Sequence, residues 1–110
     1  MSTSGYQIIF FSLQGREHDG QPLGAWLLQL ARDLGLRGAT LLAAGEGLGH
    51  DHRFHAAGFF ELAGQPQLVL MAVTEEESAR LFARLDAERL ALFYVKTPAE
   101  FGTVGQGSPT

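Results

Sequence analysis

Residues 6–13 read YQIIFFSL, and this stretch decides the fold because apolar side chains fill both alternating series of its positions. Its aromatic and β-branched residues are typical of a β-strand. Successive side chains of a strand point to opposite faces of a sheet, so Ile8 and Phe10 lie on one face. Ile9 and Phe11 then lie on the other face. A sheet that contains this strand needs cover on both of its sides.

Three further stretches have the composition of strands. The second and third of them again carry apolar residues at odd and even positions alike, whereas a strand with one face in water alternates apolar and polar residues. Phe93, in the last of them, is expected in the core. The three predicted strands are residues 39–44 (ATLLAA), 67–73 (QLVLMAV) and 92–95 (LFYV).

Two stretches have the spacing of helices. The first begins at Pro22, which suits a first helical turn because its missing N–H costs nothing there, and it ends near Gly35. The second begins after Thr74, which forms a capping box with Glu77. Each helix has one apolar stripe for packing on the sheet. The stripe residues are Leu23, Trp26, Leu27, Leu30, Ala31 and Leu34 in the first helix, and Leu81, Phe82 and Leu85 in the second.

The order of these elements predicts the fold. Strand, helix, strand, loop, strand, helix and strand, joined by right-handed crossovers, form the ferredoxin-like α+β arrangement, a four-stranded antiparallel sheet with two helices on one face. The helices leave the second, equally apolar face uncovered. Each large side chain left in water there would forgo about 1.5–3 kcal/mol of burial. Because the chain has no spare element for this face, we expect copies of the chain to cover one another.

The composition bounds the class of protein. The 110 residues are expected to form a single domain, residues 1–110, and 45% of them are hydrophobic, which is enough for a core. A net charge of −4 disfavours nucleic acid as a partner. No apolar run approaches the roughly 20 residues that span a bilayer, and residues 1–5 lack the features of a signal peptide. Since the chain also has no cysteine, we expect a cytoplasmic protein without membrane insertion, disulfides or thiolate metal sites.

The segment from Gly45 to Pro66 has no regular period and is predicted to be a long loop, which in a compact domain is usually functional. Two hypotheses arise from it. Gly47-Leu48-Gly49 can present backbone N–H groups to a phosphate or a small anion. His50, His52 and His55 can reach one zinc or copper ion. A histidine-based metal-binding module on the ferredoxin-like fold is therefore the alternative function.

Several short motifs occur in a distinctive order. They are Gly15-Arg16, Gly20-Gln21-Pro22-Leu23, Gly38-Ala39-Thr40, Glu46-Gly47-Leu48-Gly49 and Phe93-Tyr94-Val95-Lys96-Thr97-Pro98-Ala99-Glu100-Phe101-Gly102. With these motifs, over about residues 6–105, the chain resembles the PII-like signalling proteins. The resemblance is to the branch catalogued as domain of unknown function 190, and within it to the carboxysome-associated PII-like proteins.

The resemblance implies a PII-like homotrimer whose sheets pack inward and whose clefts between subunits bind an adenine nucleotide. By this likeness the T-loop, which senses the ligand and contacts partner proteins, is about residues 46–66, and residues 103–110 form a flexible tail. The nitrogen-regulatory members carry a Gly-rich basic phosphate loop after the second helix. Residues 84–91 lack that loop here, which favours ADP or AMP over a triphosphate.

The same likeness indicates the site residues. Arg53 and Lys96 are the cations expected to meet the phosphates. The expected nucleotide site is Thr40, Gly47, Leu48, Gly49, Arg53, Tyr94, Lys96, Glu100, Phe101 and Gly102. Bicarbonate, to which carboxysome-associated relatives respond, is expected at Gly47, Gly49, His50 and Arg53. The resemblance therefore implies a regulatory sensor that is not an enzyme, needs no cofactor, and signals through its T-loop to a bicarbonate transporter or a carboxysome component.

Two other functions occur on this topology. An acyl-phosphate hydrolase would use Arg16 to hold phosphate, but the sequence offers no convincing nucleophile with an activating partner. An RNA-binding protein would need basic residues between aromatic residues on the central strands, and residues 8–11 and 68–73 contain none.

Overall fold

A computed structural model of the chain describes residues 2–13, 15–43 and 66–105. The elements, in chain order, are β1 (Thr3–Leu13), β2 (Glu17–His18), β3 (Gln21–Pro22), α1 (Leu23–Asp33), β4 (Thr40–Ala43), β5 (Pro66–Val73), α2 (Glu75–Ala87) and β6 (Phe93–Phe101). One sheet contains four of the strands in the order β4-β5-β1-β6, and each neighbouring pair is antiparallel. The predicted ferredoxin-like α+β fold is confirmed.

The core lies between the two helices and one face of this sheet. Ile8 and Phe10 of β1 are buried there, beside their register partners Met71 and Val69 of β5. The predicted apolar stripes of both helices pack onto the same face. The buried stripe residues are Leu23, Trp26, Leu27, Leu30, Ala31, Leu81 and Leu85. The helices and this face of the sheet therefore account for the buried apolar core of the described chain.

No helix of the described chain covers the other face of the sheet. We call this surface the open face; its large apolar residues are Ile9, Phe11, Leu13, Leu42, Leu68, Leu70, Phe93 and Val95. Phe93 is 54% exposed, so its expected place in the core is wrong for the single chain. The ring of Phe93 instead meets the ring of Phe11 edge-on across the open face, with centroids 5.4 Å apart. The side chains that were predicted to require a second cover are the ones left in contact with solvent.

The predicted polar loop before α1 contains a short hairpin, in which residues 17–18 pair with residues 21–22. Its turn residues, Asp19 and Gly20, have φ values of 54° and 77°. Positive φ at both central residues is the type I′ pattern, for which Asp-Gly is a favoured sequence. The hairpin was missed because strands of two residues have no readable periodicity.

Two of the long strands extend beyond their predicted limits. β6 continues to Phe101, past the predicted end at Val95, and β1 begins at Thr3 because Thr3 pairs with Phe101. Pro98 does not end β6 because this strand lies at the edge of the sheet, where a missing N–H is tolerated. The extension brings the end of β6 to the same end of the sheet as the start of β4.

The start of α2 confirms the predicted capping box. The backbone N–H of Glu77 donates to Oγ1 of Thr74 over 3.1 Å, and the backbone N–H of Thr74 donates to Oε1 of Glu77 over 2.9 Å. Two of the N–H groups at the helix start are thereby satisfied. Within the described chain, neither α1 nor α2 is long and apolar enough to cross a membrane.

Candidate functional site

A groove of about 630 Å³ lies at the end of the open face where β4 begins and β6 ends. Its floor includes Gln7, Leu70 and Ala72, whose register positions lie on the open face. Its walls come from the chain entering β4 and from the last residues of β6. The volume is within the range of about 300–1,000 Å³ that small-molecule sites occupy.

Three of the residues predicted for the nucleotide site line this groove: Thr40, Glu100 and Phe101. Thr40 is exposed at the start of β4, so its hydroxyl can reach a ligand. The carboxylate of Glu100 accepts a hydrogen bond from the hydroxyl of Ser2. Gly102 follows directly and is exposed. The sheet register therefore brings together residues that are far apart in the chain.

Arg37, which was not among the residues predicted from the sequence, lies at the rim of the groove. Its guanidinium carbon is 4.9 Å from the ring centroid of Phe101, a cation–π contact. Its Nη2 also donates to both carboxylate oxygens of Glu77, over 3.2 and 3.3 Å. Arg37 thus links the start of α2 to the end of β6 beside the groove. A pair forty residues apart in the sequence leaves no local pattern, so this contact could not be found without the fold.

The electrostatics of Glu77 hold Arg37 in this position. Burial raises the pKa of Glu77, but it is outweighed by the hydrogen bond from the Thr74 backbone, the hydrogen bond from Arg37 and the guanidinium charge. The pKa of Glu77 consequently lies below its ordinary value of 4.5, so the carboxylate is ionised at neutral pH. Because Arg37 is already paired, it contributes less free positive charge to the groove than an unpaired arginine would.

Two other predicted nucleotide-binding residues lie on the helix-covered face instead. The ammonium of Lys96 is 4.3 Å from the ring centroid of Tyr6 and 5.2 Å from that of Phe82. The ring of Tyr94 lies 4.7 Å from Phe82 and 6.3 Å from Phe10, measured between centroids. Within one chain, therefore, the structure does not bring Lys96 and Tyr94 together with Thr40.

The remaining predicted residues lie outside the part of the chain that the structure describes. They are Gly47, Leu48, Gly49, His50 and Arg53, together with His52 and His55 of the alternative metal site. The predicted T-loop also lies outside it, except that Pro66 begins β5. The predictions for these residues stay predictions.

Arg16, which would hold phosphate in an acyl-phosphate hydrolase, lies near the end of α2. Its Nη2 donates a hydrogen bond to the backbone carbonyl of Ala91. Arg16 therefore ties the hairpin segment to the chain that enters β6, and it is not among the residues that line the groove.

Comparison of the sequence with protein families gives one match. Residues 7–90 match the DUF190 family model, described as "Uncharacterized ACR". No curated protein matches the chain significantly.

Comparison of the fold with solved structures gives several matches. A protein of Thermus thermophilus, described as PII-like signaling, is similar with a TM-score of 0.59 and 19% identity, over 91% of this chain and 90% of that one. CPII of Thiomonas intermedia, bound to ADP, AMP and acetate, is similar with a TM-score of 0.63 and 14% identity, over 94% and 93%. CPII bound to ADP, AMP and bicarbonate gives a TM-score of 0.57 and 15% identity, over 94% and 98%.

Proposed function

The chain belongs to the DUF190 family, and from that premise we propose that it is a PII-like regulatory sensor of an adenine nucleotide, ADP or AMP. The groove at the end of the open face carries this proposal. It combines the hydroxyl of Thr40 with the end of β6, at Glu100 and Phe101, in one cavity of suitable size. In this proposal the chain is a single PII-like domain over residues 1–110.

The proposed ligand fits the chemistry of the groove. An adenine base is flat and aromatic, so it can stack on the ring of Phe101. The hydroxyl of Thr40 can donate to or accept from a ring nitrogen, an amino group or a sugar hydroxyl. CPII, which has the same fold, is bound to ADP and AMP in three of the matched structures, and this supports the class of ligand.

The groove of one chain is incomplete for a phosphate. Glu100 is negative, and Arg37 is already paired with Glu77. Further cations are needed next to the phosphates, and Arg53 and Lys96 are the proposed sources. Because Lys96 lies on the other face of its own sheet, we place its contact with the nucleotide across a boundary between subunits. The site then exists only in the assembled protein.

The open face supports the proposed assembly of the chain. Its large apolar residues are partly buried or exposed in the single chain. Burying the part of each side chain that is still in solvent stabilises the assembly by a fraction of the roughly 1.5–3 kcal/mol of full burial, before the entropy of association is subtracted. A homotrimer with its sheets turned inward covers all three open faces at once. The groove lies at the margin of the open face, so a neighbouring subunit would close its outer side.

The proposed regulatory role follows from this arrangement. Nucleotide binding at the subunit boundary, together with bicarbonate at Gly47, Gly49, His50 and Arg53, would change the T-loop. Through that loop a cytoplasmic sensor would engage a bicarbonate transporter or a carboxysome component. The coupling is a free energy shared between ligand and loop, and no covalent bond is broken. One of the CPII structures contains bicarbonate with ADP and AMP, which supports the second ligand.

Titration calorimetry tests the proposal. ADP, AMP and ATP are titrated with and without bicarbonate into the wild-type protein, T40V and D86N. D86N is the control, because Asp86 is an exposed residue of α2, outside the open face and the lining of the groove. We expect saturable heat with ADP or AMP, about fivefold weaker binding in T40V from the loss of one hydrogen bond, and no change in D86N. The absence of heat with every nucleotide, in a preparation shown to be assembled, would refute the proposal.

A further inference from the structure

The hairpin of residues 17–22 carries a second cluster of side chains with coordination chemistry, away from the groove. His18 lies on the hairpin, and its Nε2 is 2.9 Å from Oε1 of Glu88 at the C-terminal end of α2. Asp19, the next residue, occupies the turn. One ligand atom from each of these three side chains lies within 4.8 Å of the others. An imidazole and two carboxylates therefore converge from two elements that are distant in the sequence.

We propose that His18, Asp19 and Glu88 bind a divalent transition-metal ion, of which Zn²⁺ is the representative. Nitrogen and carboxylate oxygen are ligands that Zn²⁺ accepts, and three protein ligands with water completing the coordination is a common arrangement. The His18–Glu88 distance already suits two ligands of one ion. Asp19, which is exposed in its turn, has to approach by a small side-chain rotation.

The surroundings hold two of the ligands in place. Nε of Arg84 donates to Oε2 of Glu88 over 3.1 Å, which leaves Oε1 directed at His18. The ring of His18 packs edge-on against Trp26, with centroids 4.6 Å apart. Outer contacts of this kind orient metal ligands.

Metal binding by these side chains requires an ionised carboxylate and a free lone pair on the imidazole. Hydrogen bonds from His18 and from Arg84 lower the pKa of Glu88, so this carboxylate is ionised at neutral pH. A metal ion takes the lone pair of His18 Nε2. A proton held on that nitrogen moves to Nδ1 or leaves to solvent when the metal ion binds.

Trp26 makes the site measurable, because it is the sole tryptophan of the chain. Ni²⁺ binds the same nitrogen and oxygen ligands as Zn²⁺ and quenches indole fluorescence at short range. The titration uses full-length protein in which His50, His52 and His55 are replaced by alanine, so that the histidines of the alternative metal site cannot contribute. In this background we expect saturable quenching of Trp26 by Ni²⁺, reversed by Zn²⁺.

Two isosteric variants in the same background test the ligands. D19N keeps the turn, because Asn also favours positive φ, and E88Q keeps the shape of its side chain. Each should weaken Ni²⁺ binding at least about tenfold. D86N, which removes an exposed carboxylate of α2 outside the cluster, should leave binding unchanged. Equal quenching curves for D19N, E88Q and D86N, or no saturable quenching in the background protein, would overturn the proposal and leave His18 and Glu88 as an ion pair only.

Discussion

Tyr94 and Val95 are neighbours in β6, yet their side chains lie on opposite faces of the sheet. The ring of Tyr94 packs near Phe82 and Phe10 on the helix-covered face, whereas Val95 pairs with Ile9 on the open face. The two side chains are similarly exposed in the single chain, 45% for Tyr94 and 40% for Val95. They therefore form a matched pair that separates the assembly of the chain from its folding.

Replacement of Val95 by lysine is expected to break the assembly. An ammonium group would be placed without a partner in the contact between open faces, at a cost of about 3 kcal/mol per chain, or roughly a hundredfold in association. Y94K adds the same charge on the other face and should stay assembled. Size-exclusion chromatography with light scattering distinguishes the two variants. Dissociation of Y94K but not V95K would show that the open face is not the contact surface.

Replacement of Gly5 by alanine is expected to destabilise the fold. A β-carbon at this position would collide with the carbonyl oxygen of Val73 and lie 2.9 Å from the α-carbon of Thr74. Both obstacles are backbone atoms, so the strands have to shift, and we expect a loss of about 1–3 kcal/mol in the free energy of unfolding. Urea denaturation measures this loss. S4A, in the neighbouring exposed position of β1, should change the midpoint little; a loss in S4A equal to that in G5A would remove the steric explanation.

Replacement of Thr74 by alanine is expected to cost about 1 kcal/mol, because the backbone N–H of Glu77 loses its acceptor at the start of α2. T74S keeps the hydroxyl and should retain most of the stability. The free energy of unfolding of the two variants is compared at neutral pH. If T74S loses as much as T74A, the hydroxyl is not the stabilising group.

The stability contribution of Glu77 is expected to depend on pH. Since the pKa of Glu77 is lowered in the folded chain, its contribution is fully present above the ordinary value of 4.5 and is lost as the pH falls through the folded value. The difference in unfolding free energy between wild type and E77Q should therefore shrink between about pH 7 and about pH 3. E76Q, which alters an exposed neighbour, is the control. A wild-type to E77Q difference that stays constant over this range would contradict the assignment.

Much of the fold could be predicted because its signals are local. The two apolar faces of residues 6–13 and 67–73 and the capping box of Thr74 are each readable within a few residues, and the structure confirms them. The end of β6 could not be predicted from the sequence, because a proline such as Pro98 usually ends a strand. Its missing N–H is tolerated here only because β6 lies at the edge of the sheet. Phe93 was expected in the core because periodicity cannot tell a buried face from an open one.

The candidate site was predictable only through family resemblance. Thr40 and Glu100 have no local pattern that joins them, and the sheet register brings both to one groove. The contact of Arg37 with Glu77 and Phe101 could not be foreseen because it depends on the packing of α2 beside β6. The Asp19-Gly20 pair, in contrast, predicts a tight hairpin from the sequence alone. In the structure this hairpin places His18 beside Glu88.

Sedimentation velocity of the wild-type chain at micromolar concentration tests most directly whether the open face is a subunit contact that completes the groove. We predict one species with three times the chain mass of 11.9 kDa, and the same species after ADP is added. Sedimentation as single chains, with or without ADP, would contradict this prediction, because the groove would then have no neighbour to complete it.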